Sequence, residues 1–132
     1  TGSASQEYIQ LTGAASEGAR LPSPAMLVGA QLKDGDPQKA ISLEYVASYQ
    51  ERYKSEASTF GGYARDAFFL WVDAVKRAGT FDKAKVRDAL EQTKGLPGTC
   101  GIVNMTAADH LGLDLSAFKV IEVKNGAWTL VE

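Results

Sequence analysis

The side chains that could take part in covalent catalysis are one cysteine, one histidine, the aspartate beside it and several serines. Cys100 is the single cysteine, His110 is the single histidine, and Asp109 precedes that histidine. A cysteine or serine nucleophile needs a base that a third group orients, so these residues are the candidates for catalysis. However, the glycines of Gly98–Gly101 favour a small, buried structural role for Cys100. The Asp109 and His110 pair, followed by Gly112, favours a turn over a catalytic base.

The sequence also lacks the usual signatures of catalysis and of cofactor binding. It contains no G-x-S-x-G elbow, no Walker loop, no G-x-G-x-x-G fingerprint and no two-histidine metal spacing. One cysteine excludes an internal disulfide. We therefore expect a protein that is not an enzyme and that holds neither a metal nor a cofactor.

The composition is that of a soluble globular domain. The 132 residues are 45% hydrophobic and 23% charged, with a formal net charge of −2. No apolar run approaches the roughly 18 residues that a membrane helix needs. Without a basic stripe, the chain has nothing to neutralise a phosphate backbone, so we expect no nucleic-acid partner.

The stretch Phe60–Gly79 is predicted to be the central helix. Its small and aromatic residues recur every three or four positions and form one apolar stripe, which Phe69 and Leu70 widen toward a second face. We therefore expect a helix that is covered on more than one side. Gly61 and Gly62 allow a close approach of the backbone either to a neighbouring strand or to a ligand. The stripe consists of Ala64, Ala67, Phe68, Trp71, Ala74, Val75 and Ala78.

Two further long helices and one short helix are predicted from their ends. The short helix runs from Gln6 to Thr12 and closes at Gly13. Asp36 followed by a proline is an N-cap, and helical spacing continues from it to about Lys54. Asp82 caps a third helix, which ends at Lys94 and Gly95.

Extended chain is predicted in three places. The segment from Gly18 to Val28 contains Pro22 and Pro24, which exclude a central strand. Gly98–Met105 has the β-branched residues and glycines of a short strand. Phe118–Lys124 and Ala127–Val131 flank the Asn125-Gly126 pair of a type I′ hairpin, whose apolar residues on both faces predict a sheet covered on both sides. The fold class is therefore α/β.

An ordered set of short motifs resembles the C-terminal third of the branched-chain-amino-acid-type substrate-binding proteins. These are extracytoplasmic receptors of ABC importers with the type I periplasmic-binding-protein fold. The motifs are A-x-E-G at Ala15–Gly18, the aromatic-D-A start of the central helix, G-x-x-G at Gly98–Gly101, D-H-x-G at Asp109–Gly112 and N-G-x-W at Asn125–Trp128. One departure is Arg65, where the family usually has tyrosine.

The resemblance implies two α/β lobes with a solute in the cleft between them. Residues 1–21 and 115–132 would be pieces of the second lobe, 22–24 a hinge crossing, and 25–114 a piece of the first lobe. Neither lobe would be complete in these residues, so the resemblance implies that the remainder of a parent chain is a partner. For the isolated chain we expect exposed strand edges to drive pairing or a swapped dimer.

The resemblance also implies a ligand site and a location. The protein would trap a small molecule by lobe closure, dock on an ABC permease, and reside in the periplasm or, lipid-anchored, outside the cytoplasm. Thr1–Gln6 contains no acid to meet a ligand ammonium, which favours an aromatic or other carboxylate over an α-amino acid. A ligand-sensing module of a receptor or regulator with the same fold is the alternative. The implied cleft residues are Gly2, Ser3 and Ala4 from one lobe and Phe60, Gly62 and Tyr63 from the other.

Overall fold

The computed structural model describes residues 2–131 and shows a mixed α/β chain. Within those residues the strands form one three-stranded and one two-stranded antiparallel sheet. Short 3₁₀ segments lie at Gly13–Ser16, Ala25–Gln31 and Leu115–Ala117. The helices are α1 (Gln6–Thr12), α2 (Pro37–Tyr53), α3 (Thr59–Ala78) and α4 (Lys83–Glu91), and the strands are β1 (Arg20–Pro24), β2 (Leu96–Pro97), β3 (Ile102–Val103), β4 (Phe118–Lys124) and β5 (Ala127–Leu130).

The predicted helices are confirmed together with the caps that begin them, but α4 ends at Glu91 and not at the predicted Lys94 and Gly95. An Asp36 carboxylate oxygen accepts the Gln38 N–H at 2.8 Å, and an Asp82 oxygen accepts the Lys85 N–H at 3.1 Å. Each cap satisfies one of the N–H groups that the first turn of a helix leaves without an acceptor. At the other end of α3, Gly79 adopts a left-handed conformation with φ of 64°.

The C-terminal hairpin is also confirmed, and its turn is held by a distant residue. Asn125 and Gly126 have φ values of 53° and 72°, as a type I′ turn requires. The Glu17 carboxylate accepts the N–H groups of both residues, at 2.7 and 3.4 Å. The A-x-E-G and N-G-x-W motifs therefore meet in space, where they fix one turn.

Two predicted extended segments are shorter than expected. Of Gly18–Val28 only Arg20–Pro24 is a strand, at the edge of the order β1-β4-β5, and a 3₁₀ segment starts at Ala25. Of Gly98–Met105 only Ile102–Val103 is a strand, and it pairs with Leu96–Pro97. Residues 98–101 form a turn instead.

A side chain of α3 holds that turn. The Asp66 carboxylate accepts the backbone N–H of Thr99 at 2.9 Å and that of Cys100 at 2.8 Å. It also accepts the Thr99 hydroxyl at 3.1 Å. These bonds satisfy polar groups that a strand would have paired across a sheet, since Thr99 and Cys100 are both buried.

One hydrophobic core joins α1 to the three-stranded sheet. Its buried members include Trp128, whose indole N–H donates to the Ser5 carbonyl at 3.1 Å and whose ring stacks on Tyr8 at 6.0 Å. Val28, which the resemblance assigns to the first lobe, packs in this cluster with residues that the resemblance assigns to the second lobe. The segment Ala25–Gln31 therefore contacts both the sheet and α2. The buried cluster consists of Ile9, Val28, Ile121, Val123 and Trp128.

A second, smaller cluster joins α3 to α4 through Ala74, Val86 and Ala89. Arg77 of α3 reinforces it, donating hydrogen bonds to the Ala89 carbonyl and to the Thr93 hydroxyl. The arginine therefore fixes the C-terminal end of α4, where free carbonyls favour a positive charge.

Two apolar surfaces that we predicted to be covered are exposed in the residues that the structure describes, so these two predictions were wrong. On α3 the side chains of Phe68 and Trp71 are 58% and 43% exposed, and Phe69 is half exposed. On β4, Phe118 and Val120 are exposed on one face of the sheet, whereas the other face is buried. A helix flank and a sheet face thus stay open because no element within residues 2–131 packs on them.

Candidate functional site

A cavity of about 360 Å³ lies where α1, α3 and the C-terminal hairpin come together. Ala4 and Trp128, from the predicted second lobe, face Thr59 from the predicted first lobe across it. Met26 and Val46 also line it. This cavity is the place where pieces assigned to different lobes enclose a space of ligand size.

Ala4 is the predicted site residue that lines this cavity, with 1% of its surface exposed. Gly2 and Ser3 precede it and are exposed. Phe60 is 66% exposed and directly follows the lining residue Thr59. These three residues are neighbours in sequence of residues that line the cavity. Ligand contact by Gly2, Ser3 and Phe60 therefore stays a prediction.

Gly62 and Tyr63 lie elsewhere. A methyl group added at Gly62 would stand 2.5 Å from the Met26 sulfur and 3.0 Å from the Thr99 hydroxyl, so the glycine serves close packing. Tyr63 lines a separate space of about 150 Å³ beside Cys100. Partial burial raises the pKa of the Tyr63 hydroxyl above its ordinary value. Neither residue lines the cavity that Ala4 lines. A ligand role for Gly62 and Tyr63 therefore stays a prediction.

Arg65, the departure from the family pattern, does not line the main cavity. Its guanidinium lies 4.5 Å from the centre of the Phe69 ring and 3.5 Å from the Asp66 carboxylate. The guanidinium also lies 5.8 Å from the centre of the Tyr45 ring on α2, so Arg65 joins α2 to α3 through cation–π contact.

The start of α3, from Ser58 to Thr59, lines the cavity and carries polar groups without an intrahelical partner. Ser58 caps the helix by accepting the Gly61 N–H at 3.2 Å, which leaves the N–H groups of Thr59 and Phe60 without an intrahelical acceptor. Thr59 is 5% exposed, and its hydroxyl has no hydrogen-bond partner among residues 2–131. Within residues 2–131, the Ser42 hydroxyl is fully enclosed and has no partner, whereas the Thr59 hydroxyl is not fully enclosed. The Thr59 hydroxyl is therefore accessible and is not sealed in the core.

Thr59 is a site residue that reasoning from the sequence missed. The available signal was the Ser58-Thr59 pair directly before the predicted helix, which indicates an N-cap. A hydroxyl and two N–H groups at a helix N-terminus favour an oxyanion, because the helix dipole places partial positive charge there.

Carboxylates also line the cavity. Glu7 and Glu56 both contribute to its wall. Hydrogen bonds from the Glu7 backbone N–H and from Ser5 hold the pKa of the Glu7 carboxyl below its usual range, so it is charged at neutral pH. The absence of an acid in Thr1–Gln6 therefore does not argue against a ligand ammonium, since Glu7 stands one residue beyond that range.

The residues considered for catalysis are separated from this cavity. Burial raises the pKa of the Cys100 thiol to about 12, so the thiol is protonated and a poor nucleophile at neutral pH. His110 pairs with Glu91 at 3.1 Å on the surface.

Across residues 2–131, no three metal-binding side chains form a group that could hold an ion. Within the same part of the chain, no helix combines the length and apolarity that crossing a bilayer requires.

These features define a class of protein: an α/β protein with a ligand-sized cavity formed between parts of the chain that are distant in sequence. The chain belongs to the periplasmic binding protein family, whose sequence profile matches residues 4–127. Its fold is part of the two-lobed type I periplasmic-binding-protein fold. The family and its structural relatives are ligand-binding proteins and not enzymes, and the family is extracytoplasmic.

Solved structures of similar proteins extend the comparison. An extracellular ligand-binding receptor from Rhodopseudomonas palustris HaA2 is 28% identical with a TM-score of 0.88, over 98% of this chain and 38% of that one. A second receptor from that strain is 26% identical with a TM-score of 0.87, over 97% and 38%. A leucine binding protein, LivK, from Thermotoga maritima MSB8 is 25% identical with a TM-score of 0.69, over 97% and 34%.

The chain thus spans between a third and two fifths of the length of these relatives. Among curated proteins, no sequence matches it.

Proposed function

We propose that this chain belongs to the solute-binding component of an ABC importer and takes part in trapping an amino acid or a small carboxylate, aromatic ones included. The observation that carries the proposal is the cavity at the start of α3, where Thr59 and Ala4 meet. Membership of the periplasmic binding protein family supports a solute-binding role. The leucine-binding relative supports the amino acid class of ligand.

In the proposed mode of binding, the ligand lies between unlike charges. The Thr59 hydroxyl and the N–H groups of Thr59 and Phe60 would receive a carboxylate, which the dipole of α3 favours. Glu7 and Glu56 would receive an ammonium group where the solute carries one. A solute without an ammonium group would leave these carboxylates in water, because both are exposed.

Capture would depend on hinge closure and on the rest of the two lobes. The proposed crossing, Pro22–Pro24, pairs with Phe118–Val120 in an antiparallel ladder, so two chain segments cross side by side. We expect closure to bring both lobes onto the ligand, and the closed form to dock on the permease. No bond is made or broken in this cycle.

A sensory role is the second candidate. The relatives from Rhodopseudomonas palustris HaA2 are described as extracellular ligand-binding receptors, which is compatible with sensing as well as import. The two roles share the cavity and differ in the protein that the closed form contacts. Coprecipitation with a permease in the presence of ligand would favour import.

The experiment that tests the cavity is a thermal-shift screen of the intact parent protein with aliphatic amino acids, aromatic carboxylates and small amides. A ligand that binds only the folded state raises Tm by mass action. For a carboxylate that raises Tm, we expect Thr59→Val to weaken binding about 10- to 100-fold in titration calorimetry, the loss of one hydrogen bond to a charged group.

Two matched variants make this result specific. Thr59→Ser keeps the hydroxyl and is expected to keep most of the affinity. Thr129→Val makes the same chemical change on β5, outside the cavity. The site assignment fails if Thr59→Val binds as tightly as the unchanged parent protein. The proposed function fails if no solute of the three classes raises Tm.

A further inference from the structure

One side chain outside the cavity makes two hydrogen bonds to the backbone of a strand edge. The Gln31 amide nitrogen donates to the Trp128 carbonyl at 2.9 Å, and its amide oxygen accepts the Leu130 N–H at 2.8 Å. Gln31 ends the 3₁₀ segment that follows β1, whereas both backbone groups belong to β5. The contact joins residues about a hundred positions apart in sequence.

These two backbone groups point away from the rest of the sheet. On β5, the Val131 N–H donates to the Val120 carbonyl of β4 at 2.9 Å. Since backbone groups alternate in direction along an antiparallel strand, Thr129 also faces β4, and Trp128 and Leu130 face outward. β5 is the last strand in the order β1-β4-β5, so this outward side is a sheet edge.

The Gln31 amide occupies the place of a neighbouring strand. A residue in a parallel strand would donate its N–H to the Trp128 carbonyl and accept the Leu130 N–H, one on each side of Thr129. The amide group of Gln31 supplies the same donor and the same acceptor. These two bonds satisfy the outward groups of Trp128 and Leu130 without a further strand.

The opposite edge of the sheet is closed by different chemistry. The Val123 N–H of β4 donates to the Ala19 carbonyl at 3.0 Å, so alternation turns Leu21 and Ser23 toward β4. Pro22 and Pro24 then occupy the outward positions of β1. Neither proline has an N–H to offer, so a strand added there would lose two hydrogen bonds.

We propose that Gln31 is an edge cap, which prevents β5 from pairing with a strand of another chain. With Pro22 and Pro24 on β1, it leaves the three-stranded sheet without an edge that readily accepts a strand, contrary to the expectation from the sequence that exposed strand edges drive pairing. An unpaired edge is a template for association, and polar groups or prolines at edges are the usual protection. The inference concerns association and does not depend on the identity of any solute.

The test compares Gln31→Ala with the unchanged 132-residue chain by amide hydrogen exchange and sedimentation velocity. Gln31→Ala removes both bonds, so we expect exchange of the Leu130 N–H to accelerate about tenfold in dilute samples, as loss of a hydrogen bond of ordinary strength implies. We also expect a larger concentration-dependent oligomer fraction, in which the Leu130 N–H is protected again by an intermolecular strand.

Two controls separate the edge from general destabilisation. Asp82→Ala removes the N-cap of α4, far from the sheet, and lowers stability without opening β5. Gln10→Ala makes the same substitution at an exposed position of α1. Association through another surface would be common to all variants. The difference in oligomer fraction between Gln31→Ala and the controls therefore measures association through the edge of β5 alone.

The edge cap is refuted if exchange of the Leu130 N–H is unchanged in Gln31→Ala. It is also refuted if Asp82→Ala, at equal loss of stability, associates to the same extent. Gln31→Glu provides an independent check, because a carboxylate accepts the Leu130 N–H but cannot donate to the Trp128 carbonyl. We expect its oligomer fraction to lie between those of the unchanged chain and Gln31→Ala.

Discussion

Replacing Asp66 is the most direct test of how α3 positions the turn at residues 98–101. The carboxylate accepts two backbone N–H groups and one hydroxyl, at 2.8 to 3.1 Å. Thr99 is 0% exposed and Cys100 is 5% exposed, so water cannot easily replace these acceptors. Removing the carboxylate therefore leaves two buried N–H donors without a partner.

The magnitude follows from the number of donors. A buried donor left without an acceptor costs about 1–3 kcal/mol, so Asp66→Ala is expected to lower the free energy of unfolding by roughly 2–6 kcal/mol. Asp66→Asn keeps the shape but turns one acceptor oxygen into an NH₂ donor that faces another donor. We expect it to cost about 1–3 kcal/mol, the penalty for one unsatisfied group.

The assay is urea unfolding followed by circular dichroism, with a matched substitution on the same helix. Asp73→Asn breaks the exposed ion pair with Arg77, whose charged atoms are 2.8 Å apart, and is expected to cost no more than about 0.5 kcal/mol. With an m-value of about 2 kcal/mol per molar urea, Asp66→Ala should lower the midpoint by roughly 1–3 M.

Equal midpoints for Asp66→Asn and Asp73→Asn would refute this reasoning. Such a result would mean that the Asp66 bonds are replaced by water or that the turn relaxes without cost. An unchanged m-value across the variants is required for the comparison, because it shows that the same surface is exposed on unfolding.

Three further predictions concern single residues. Gly62→Ala should lower stability by about 1–3 kcal/mol in calorimetry, because its methyl group would lie 2.5 Å from the Met26 sulfur, and an unchanged Tm would contradict the close packing. In Gly126→Ala the added methyl group meets no atom within 4 Å, so the positive φ alone should lower the free energy of unfolding by about 1 kcal/mol in the same calorimetric scan. A stabilised variant would contradict the turn assignment. Cys100 should react with iodoacetamide at pH 8 at least about 100-fold more slowly in the folded chain than in urea, and equal rates would show an accessible thiolate. Because the unfolded thiol loses its proton near pH 9 and the folded one near 12, the free energy of unfolding should fall as pH rises through that interval, and Cys100→Ala should abolish the contribution of this group.

The predicted elements with local signals were those that the structure confirmed. The Asp36 and Asp82 caps and the Asn125-Gly126 turn depend on residues within a few positions of each other. Such short-range hydrogen bonds and φ preferences are the same in any fold, so they can be read without knowing the rest of the structure. The motifs that carried the family resemblance include several such turns.

Patterns that depend on what packs against an element were less informative. The apolar stripe of α3 predicted burial of Phe68 and Trp71, yet both are exposed within the described residues. Alternation alone also could not show that residues 98–101 would fold into a turn around the Asp66 carboxylate. Periodicity gives the side of a helix or strand that is apolar, but the covering elements come from elsewhere in the chain.

By itself, the sequence therefore determined the helices, their caps, the C-terminal hairpin, the α/β class and the family. Only the tertiary structure brought Thr59 and Glu7 to one cavity, and only it placed the Gln31 amide on the edge of β5. The physical reason is distance along the chain. Contacts between residues 50 to 100 positions apart are decided by the packing of whole elements, whereas caps and turns are decided by neighbouring residues alone.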